Sequence, residues 1–234
     1  MARRLRPSRR IATAARWPLG VGLTSWRYMW RTTPMRRAEV EGSHDHDSPP
    51  PLPGGLPTEG MRSPEDGVGP LFHRTYRVRF RESRVAAEEL VRRIVANPDR
   101  VAPSEFASFN QVYGEKGTMR AGDEYIVRIP GPWDGPVRIA QVTPTSFRFV
   151  TLDRHLEAGQ IEFRAVDDGD DVVFTIESWA RSGDRLSNLL YGRLRMAKEV
   201  QLHMWTSFLE RVVELAEGRR IGLLEIETRR VETG

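Results

Sequence analysis

The stretch DRLSNLLYGRLRMAKEVQLHMWTSFLERVVELAEG, residues 184–218, decides the fold. It opens on Asp184, a side chain suited to an N-cap, and closes on Gly218, suited to a helix C-terminus. Between them Leu186, Leu190, Leu194, Ala197, Met204, Phe208, Val212 and Leu215 fall on one helical stripe, with Trp205 at its edge. Arg195, Glu199 and Glu210 lie off that stripe. So does His203, which is expected at a solvated rim. One polar residue, Gln201, sits near the middle of the apolar face. A helix of this length cannot bury its stripe alone, so a sheet or further helices must lie against it.

The sequence upstream supplies that sheet. Residues 73–81 alternate, with Tyr76, Val78 and Phe80 on one face and Arg77, Arg79 and Arg81 on the other, as in a half-buried strand. Ser83 to Ala96 has a helical pattern, with Ser83 as its cap and Asn97-Pro98 as its stop. Pro103 to Val112 reads as a second short helix. From Gly122 to Ala180 runs a series of strands: Tyr125, Val127 and Ile129; then Val137 and Ile139; Phe147 and Phe149; Ile161, Phe163 and Ala165; Phe174 and Ile176. Turns separate them at residues 130–135, at Pro144-Thr145 and at the acidic run 167–171. Sequential strands predict an antiparallel sheet.

Charge divides the chain. The net charge of +4 combines residues 1–40, which hold ten arginines and Glu39, with a remainder of 26 bases and 31 acids. The globular part is therefore mildly acidic, and no nucleic-acid partner is expected. The absence of cysteine excludes disulfides, thiolate metal sites and cysteine nucleophiles, and suits a reducing cytoplasm. No acid or histidine shows metal-ligand spacing on a predicted element, and no phosphate loop or nucleophile elbow is present, so neither metal nor cofactor is expected.

Four segments follow: a basic aromatic arm over 1–40, a flexible linker over 41–70, a compact domain over 71–218 and a tail over 219–234 without an assigned place. In the arm, the stretch from Trp17 to Trp30 is too short and too charged to span a bilayer. Ser8-Arg9-Arg10 is similar to the start of a twin-arginine export signal, but Arg16 interrupts the apolar region and no small-residue cleavage site follows. Trp17, Trp26 and Trp30 beside Arg16, Arg27 and Arg31 suit an anionic membrane interface, with rings at headgroup depth and guanidinium groups on phosphates. The alternatives are a disordered basic tail or a helix docked on the protein's own surface. The expected location is the cytoplasm, peripheral at the inner face of the membrane. Thirteen of residues 41–70 are proline or glycine, which predicts an extended or mobile linker. His44-Asp45-His46-Asp47 within it is read as a solvated polar run.

Strand, two short helices, five strands and a long helix resemble the helix-grip fold of the START and birch-allergen (SRPBCC) superfamily. This is an α+β fold in which a curved antiparallel sheet of about six strands wraps one C-terminal helix. A local likeness is narrower. His155-Leu156-Glu157-Ala158-Gly159-Gln160-Ile161-Glu162-Phe163, followed by Val173-Phe174-Thr175-Ile176, is similar to an uncharacterised bacterial and plant branch. That branch carries a His-Pro-Glu-Ser-Gly-Glu-Glu-x-Phe stretch and then a Trp-Phe-x-Ile strand. His155, Glu157, Gly159, Phe163, Phe174 and Ile176 match, whereas Leu156, Gln160, Ile161 and Val173 depart from the pattern. The resemblance implies a cavity between sheet and helix that takes a small hydrophobic molecule or lipid. An enzyme of the polyketide cyclase or dehydratase type and a protein with a filled core are the alternatives.

The residues expected to face that ligand are Tyr125, Gln141, Phe147, Phe149, Phe163, Phe174, Gln201, Met204 and Phe208. The phenylalanines serve a cavity lining or a solid core equally well. A buried amide needs partners, and Gln141, Thr143, a water or a ligand would each satisfy Gln201. His155 and Glu157, in a turn beside Arg154, are the weak candidates for acid–base chemistry. The competing reading is that they fix the turn, with Gly159 supplying an unusual backbone angle.

Overall fold

The computed structural model describes residues 34–103, 107–128, 134–183 and 196–232. In chain order these form β1 (Met35–Glu41), α1 (His44–Asp47), β2 (Met61–Arg62), β3 (Val68–Arg81), α2 (Ala87–Ala96), β4 (Ser108–Tyr113), β5 (Glu124–Arg128), β6 (Asp134–Val142), β7 (Ser146–Leu152), β8 (Glu157–Asp168), β9 (Asp171–Ser182), α3 (Met196–Leu215) and β10 (Arg219–Val231). The described strands make one ten-stranded sheet, ordered β1-β10-β3-β9-β8-β7-β6-β5-β4, with β2 on the flank of β7. Helix α3 packs on β3, β9 and β10, while α2 packs on β7 and β8. This is the helix-grip arrangement, carried on a larger sheet than the six strands expected.

The five strands read between Gly122 and Ala180 pair in sequence as antiparallel neighbours. Alternation assigns their faces. Phe72, Arg74, Tyr76, Val78 and Phe80 of β3, Glu157, Gly159, Ile161, Phe163 and Ala165 of β8, and Phe174, Ile176, Ser178 and Ala180 of β9 share the face toward α3. Helix α3 is buried around its circumference from Leu202 to Leu209, so His203, expected at the rim, is buried as well.

The start of the Ser83–Ala96 segment differs from its reading. Helix α2 begins at Ala87, and Ser83 Oγ bonds to Val85 instead of capping it. The cap comes from the acidic hairpin, where Asp167 Oδ1 accepts from the Ala87 N–H at 3.0 Å. The second short helix is replaced by β4 from Ser108 onward. Phe109 and Val112 are three apart and imitate a helical stripe, but pairing with β5 and stacking of Phe109 on Phe149 at 6.0 Å win.

The stretch read as a free linker is extended, as its composition requires, but it is anchored. Strand β1 pairs in parallel with β10, β2 pairs with β7, and the segment between them crosses the outer face of the sheet. Proline has no N–H for a ladder, yet its carbonyl still accepts. Arg138 Nη1 donates to the Pro57 carbonyl at 2.6 Å, Arg148 Nη2 to Pro51 at 3.2 Å, and Gln160 Nε2 to Pro50 at 3.3 Å. Asp47 is not solvated: it is buried, and His73 bonds to its Oδ1 and to Glu177 Oε1, both at 2.7 Å, while stacking on Trp179. Residues 219–231 also have a place, as strand β10 between β1 and β3. A register shift between Ile221 and Glu225, around Gly222 at φ 67°, breaks the alternation that would have marked it as a strand.

Candidate functional site

The inner face of the sheet is apolar toward one end and polar toward the other. At the polar end Arg74 Nη1 lies 3.3 Å from Glu157 Oε1. From α3, Gln201 Nε2 donates to the same carboxylate, 3.2 Å from Oε2 and 3.4 Å from Oε1. Arg74 and Glu157 stand on strands separated by β9, about 10 Å apart at ordinary strand spacing. The guanidinium crosses because the residues beneath its path are small, Ala180 on β9 and Gly159 on β8, which pair with each other. Gly159 has a second reason to lack a side chain: a Cβ there would sit 2.0 Å from the Trp179 carbonyl oxygen. Arg74 is 4% exposed and lies 4.6 Å over the Phe72 ring. Beside it the Tyr76 phenol is pushed up to about 12, chiefly by burial.

Next to this polar end the rings meet one another. Phe163 stacks on Phe147 at 4.7 Å and contacts Phe208 at 5.2 Å, Trp205 at 5.5 Å and Phe149 at 5.9 Å. Phe174 lies 6.2 Å from Phe208, and Tyr125 6.2 Å from Phe149. The Tyr125 hydroxyl donates to the Thr118 carbonyl, and burial pushes its pKa up to about 12. Among the described residues, two donors in this interior have no partner. Trp205 Nε1 and Ser178 Oγ make no hydrogen bond, although the residues are only 7% and 3% exposed.

Of the expected ligand-facing residues, the structure brings together Phe147, Phe149, Phe163, Phe174, Met204, Phe208, Tyr125 and Gln201. It separates Gln141, which is exposed and accepts from Arg148 Nη2 at 3.1 Å. A register shift between Ile139 and Gln141 turns Gln141 to the outer face and buries both Ile139 and Ala140. The partner of Gln201 is accordingly Glu157, neither Gln141 nor Thr143.

His155 and Glu157 do not meet as an acid–base pair through their side chains. The Glu157 backbone N–H donates to His155 Nδ1 at 2.9 Å, and burial is the main cause that pushes the imidazole's pKa down. The ring lies against Gly135, where a Cβ would come 3.1 Å from Nε2. Sequence reading missed Arg74, although the signal was present: it occupies the inward register of Phe72, Tyr76, Val78 and Phe80 as their one charged member. Ser178 was missed because a lone serine in a strand carries no such signal. Among the described residues no group of three or more acids and histidines is placed to hold a metal. Arg16, Trp17, Trp26, Arg27, Trp30 and Arg31 lie outside the described residues, as do Ile129, Asp184, Leu186, Leu190 and Leu194.

Solved structures with similar arrangements include a hypothetical protein from Helicobacter pylori, 7% identical over 61% of this chain and 86% of that one, with a TM-score of 0.46. A conserved protein from Geobacillus kaustophilus is 13% identical over 64% of this chain and 99% of its own, with a TM-score of 0.44. The di-domain aromatase/cyclase StfQ of the steffimycin biosynthetic pathway is 11% identical over 66% of this chain and 52% of its own, with a TM-score of 0.45. No curated protein matches the chain. The model of the family described as "Domain of unknown function (DUF1990)" matches residues 73–211, more than half of the sequence, and the chain belongs to that family.

Proposed function

We propose that the domain binds a small hydrophobic molecule or lipid between the sheet and α3, with Arg74, Glu157 and Gln201 at the orienting end. The observation that carries this reading is the ion pair of buried Arg74 with half-buried Glu157, joined by the Gln201 amide, at the edge of an apolar, aromatic interior. A buried ion pair is often no more stabilising than apolar residues of the same volume, whereas a few polar groups converging on apolar walls are what fixes a ligand's orientation. Native mass spectrometry of the purified full chain tests the proposal. A noncovalent adduct that disappears on denaturation is the expected result; bare protein, with no uptake of added hydrophobic molecules, would refute it.

A filled core is the second reading, favoured by the ring-on-ring contacts of Phe147, Phe163, Phe174 and Phe208. On that reading the polar group only clamps α3 to the sheet. The cyclase or dehydratase alternative gives Glu157 an acid–base role, and a Glu157→Gln variant that binds ligand but loses turnover would favour it.

The arm adds a membrane-surface proposal. No helix among the described residues is long and apolar enough to cross a membrane. Residues 1–33 hold eight arginines with Trp17, Trp26 and Trp30, a composition suited to anionic headgroups at about 1 kcal/mol per basic residue before salt screening. Deleting residues 1–33, which spares β1, is expected to abolish co-sedimentation with anionic vesicles. Equal sedimentation of the full and shortened chains would contradict this.

A further inference from the structure

Resting on that binding proposal, we infer that the molecule held between sheet and α3 is neutral and carries a carbonyl oxygen, received by the Trp205 indole N–H and the Ser178 hydroxyl. The first observation is the pair of orphan groups. Buried donors are almost always satisfied, and an indole N–H has no acceptor capacity, so it can be satisfied only by an oxygen or other acceptor brought to it. Among the described residues five buried side-chain atoms lack partners: Arg148 Nε, Gln160 Oε1 and Arg181 Nε on the outer face, and Trp205 Nε1 and Ser178 Oγ between the sheet and α3. The last two also belong to one neighbourhood. Ser178 pairs with Ile161 and with Arg74 across the two flanking strands. Phe163 is the next inward residue after Ile161, and Trp205 lies against it at 5.5 Å. Gln201 stands one helical turn before Trp205 and reaches Glu157.

The second observation is charge. Arg74 and Glu157 neutralise each other at 3.3 Å. A ligand carboxylate would place a second anion beside Glu157 in a low-dielectric interior, and a ligand ammonium would place a second cation beside Arg74; both arrangements repel. Arg37, whose charge also reaches Tyr76, is exposed at the sheet edge and screened by solvent. A neutral oxygen acceptor satisfies both orphan groups without disturbing the pair. The apolar body of the molecule then lies against the rings of Phe163 and Phe208.

Three probes of nearly equal size separate the possibilities: 2-acetylnaphthalene, 2-ethylnaphthalene and 2-naphthoate, titrated calorimetrically into the full chain. The ketone is expected to bind about tenfold more tightly than the ethyl compound, the effect of satisfying one to two buried donors, and the carboxylate most weakly. Trp205→Phe is expected to bring the ketone-to-ethyl ratio close to one. Should Trp205→Phe fail to fold, Ser178→Ala is the variant that reads the same loss in smaller measure. Equal binding of ketone and ethyl compound, an unchanged ratio in the folded variant, or tightest binding of the carboxylate overturns this inference and leaves the hydrophobic-binding proposal standing. If none of the three binds, both are overturned.

Discussion

The two faces of the sheet hold their buried polar groups differently. On the outer face the buried polar side chains are tied to the chain itself, though not at every atom: Arg138 and Arg148 donate to carbonyls of the crossing segment, Gln160 donates to Pro50, and His73 sits between Asp47 and Glu177, while Arg148 Nε, Gln160 Oε1 and Arg181 Nε make no hydrogen bond. On the inner face the ion pair of Arg74 and Glu157 is joined by Gln201, but Trp205 and Ser178 are left with donors unused. An unmet buried donor costs about 1–3 kcal/mol; Arg148 and Gln160 each make another hydrogen bond, whereas the Trp205 and Ser178 side chains make none. The outer face is a fastening for a proline-rich segment. On the binding proposal, the inner face keeps hydrogen-bonding capacity for a molecule that is not part of the chain.

The largest expected effects come from the inner face. Phe174→Ala removes a ring with no solvent exposure and is expected to cost about 3–5 kcal/mol in urea denaturation if the surroundings are fully packed. A clearly smaller loss marks a site bordering open space and sharpens the binding reading. Glu157→Ala removes the carboxylate that Arg74 and Gln201 both reach, and a loss of about 1–3 kcal/mol is expected. Gln201→Leu breaks only long bonds of 3.2 and 3.4 Å and is expected to change stability by less than about 1 kcal/mol, while loosening retention of any co-purifying molecule. Equal losses for Glu157→Ala and Gln201→Leu would make the polar group a single structural unit and weaken its role as an orienting end.

The outer face is expected to respond to pH. Burial pushes the His73 imidazole down, but its hydrogen bonds to Glu177 and Asp47, with their charges, outweigh that and raise its pKa. Burial pushes Asp47 up, yet the bonds from His73 and the Ser43 N–H bring it below its ordinary value; Glu177 is lowered, chiefly by His73. Arg164 and Arg229 also face these carboxylates. The folded chain holds the imidazole proton more tightly than the unfolded chain. That stabilisation is complete below about pH 6.5 and is lost as pH rises through the raised value. The carboxylates act on the acid side, where their contribution is present above about pH 4 and lost as pH falls through their lowered values. The Tm of the full chain is expected to fall between pH 6 and 9, and His73→Gln is expected to flatten that slope. A variant with the same slope would move the pH response elsewhere.

The smallest effect tests neither face but the C-terminal end of α3. The Gly218 N–H reaches the Val213 carbonyl at 3.0 Å, and the left-handed position before it, φ 51°, is taken by Glu217. Glu217→Gly is expected to stabilise by about 0.5–1 kcal/mol, since its ion pair with Arg84 is exposed and worth little. Gly218→Ala runs the other way, because its Cβ would come 2.7 Å from the Phe80 ring. Destabilisation by Glu217→Gly would show that the Arg84 pair matters more than the backbone.

The fold was legible because its periods are long. Apolar spacing along α3 and the alternation of β5 to β9 need only neighbours in sequence to be read, and they fixed the sheet–helix pairing that gathers the five phenylalanines. What escaped depends on partners distant in the chain. Strand β10 is arginine-rich and broken by a bulge, so its burial of Leu224 and Ile226 shows only once β1 and β3 flank it. The proline segment carries no period at all, and its anchors are side chains roughly 80 to 110 residues away, a separation that local pattern does not register. Gln141 was misplaced by one bulge, because a single extra residue reverses every later face assignment. Glu157 was singled out for the wrong neighbour: two residues from His155 in sequence, it is joined instead to Arg74 and Gln201.

Trp205 on the inner face and Trp179 on the outer face put the comparison within reach of one measurement. In a 15N-labelled full chain each indole N–H gives its own resonance, and 2-acetylnaphthalene can be titrated against both. The Trp205 indole signal is expected to move downfield as its unused donor takes the ketone oxygen, while the Trp179 signal, stacked on His73 beneath the crossing segment, stays in place. A stationary Trp205 signal, or equal movement of both, would contradict the claim that the inner face keeps its unused donor for a small molecule.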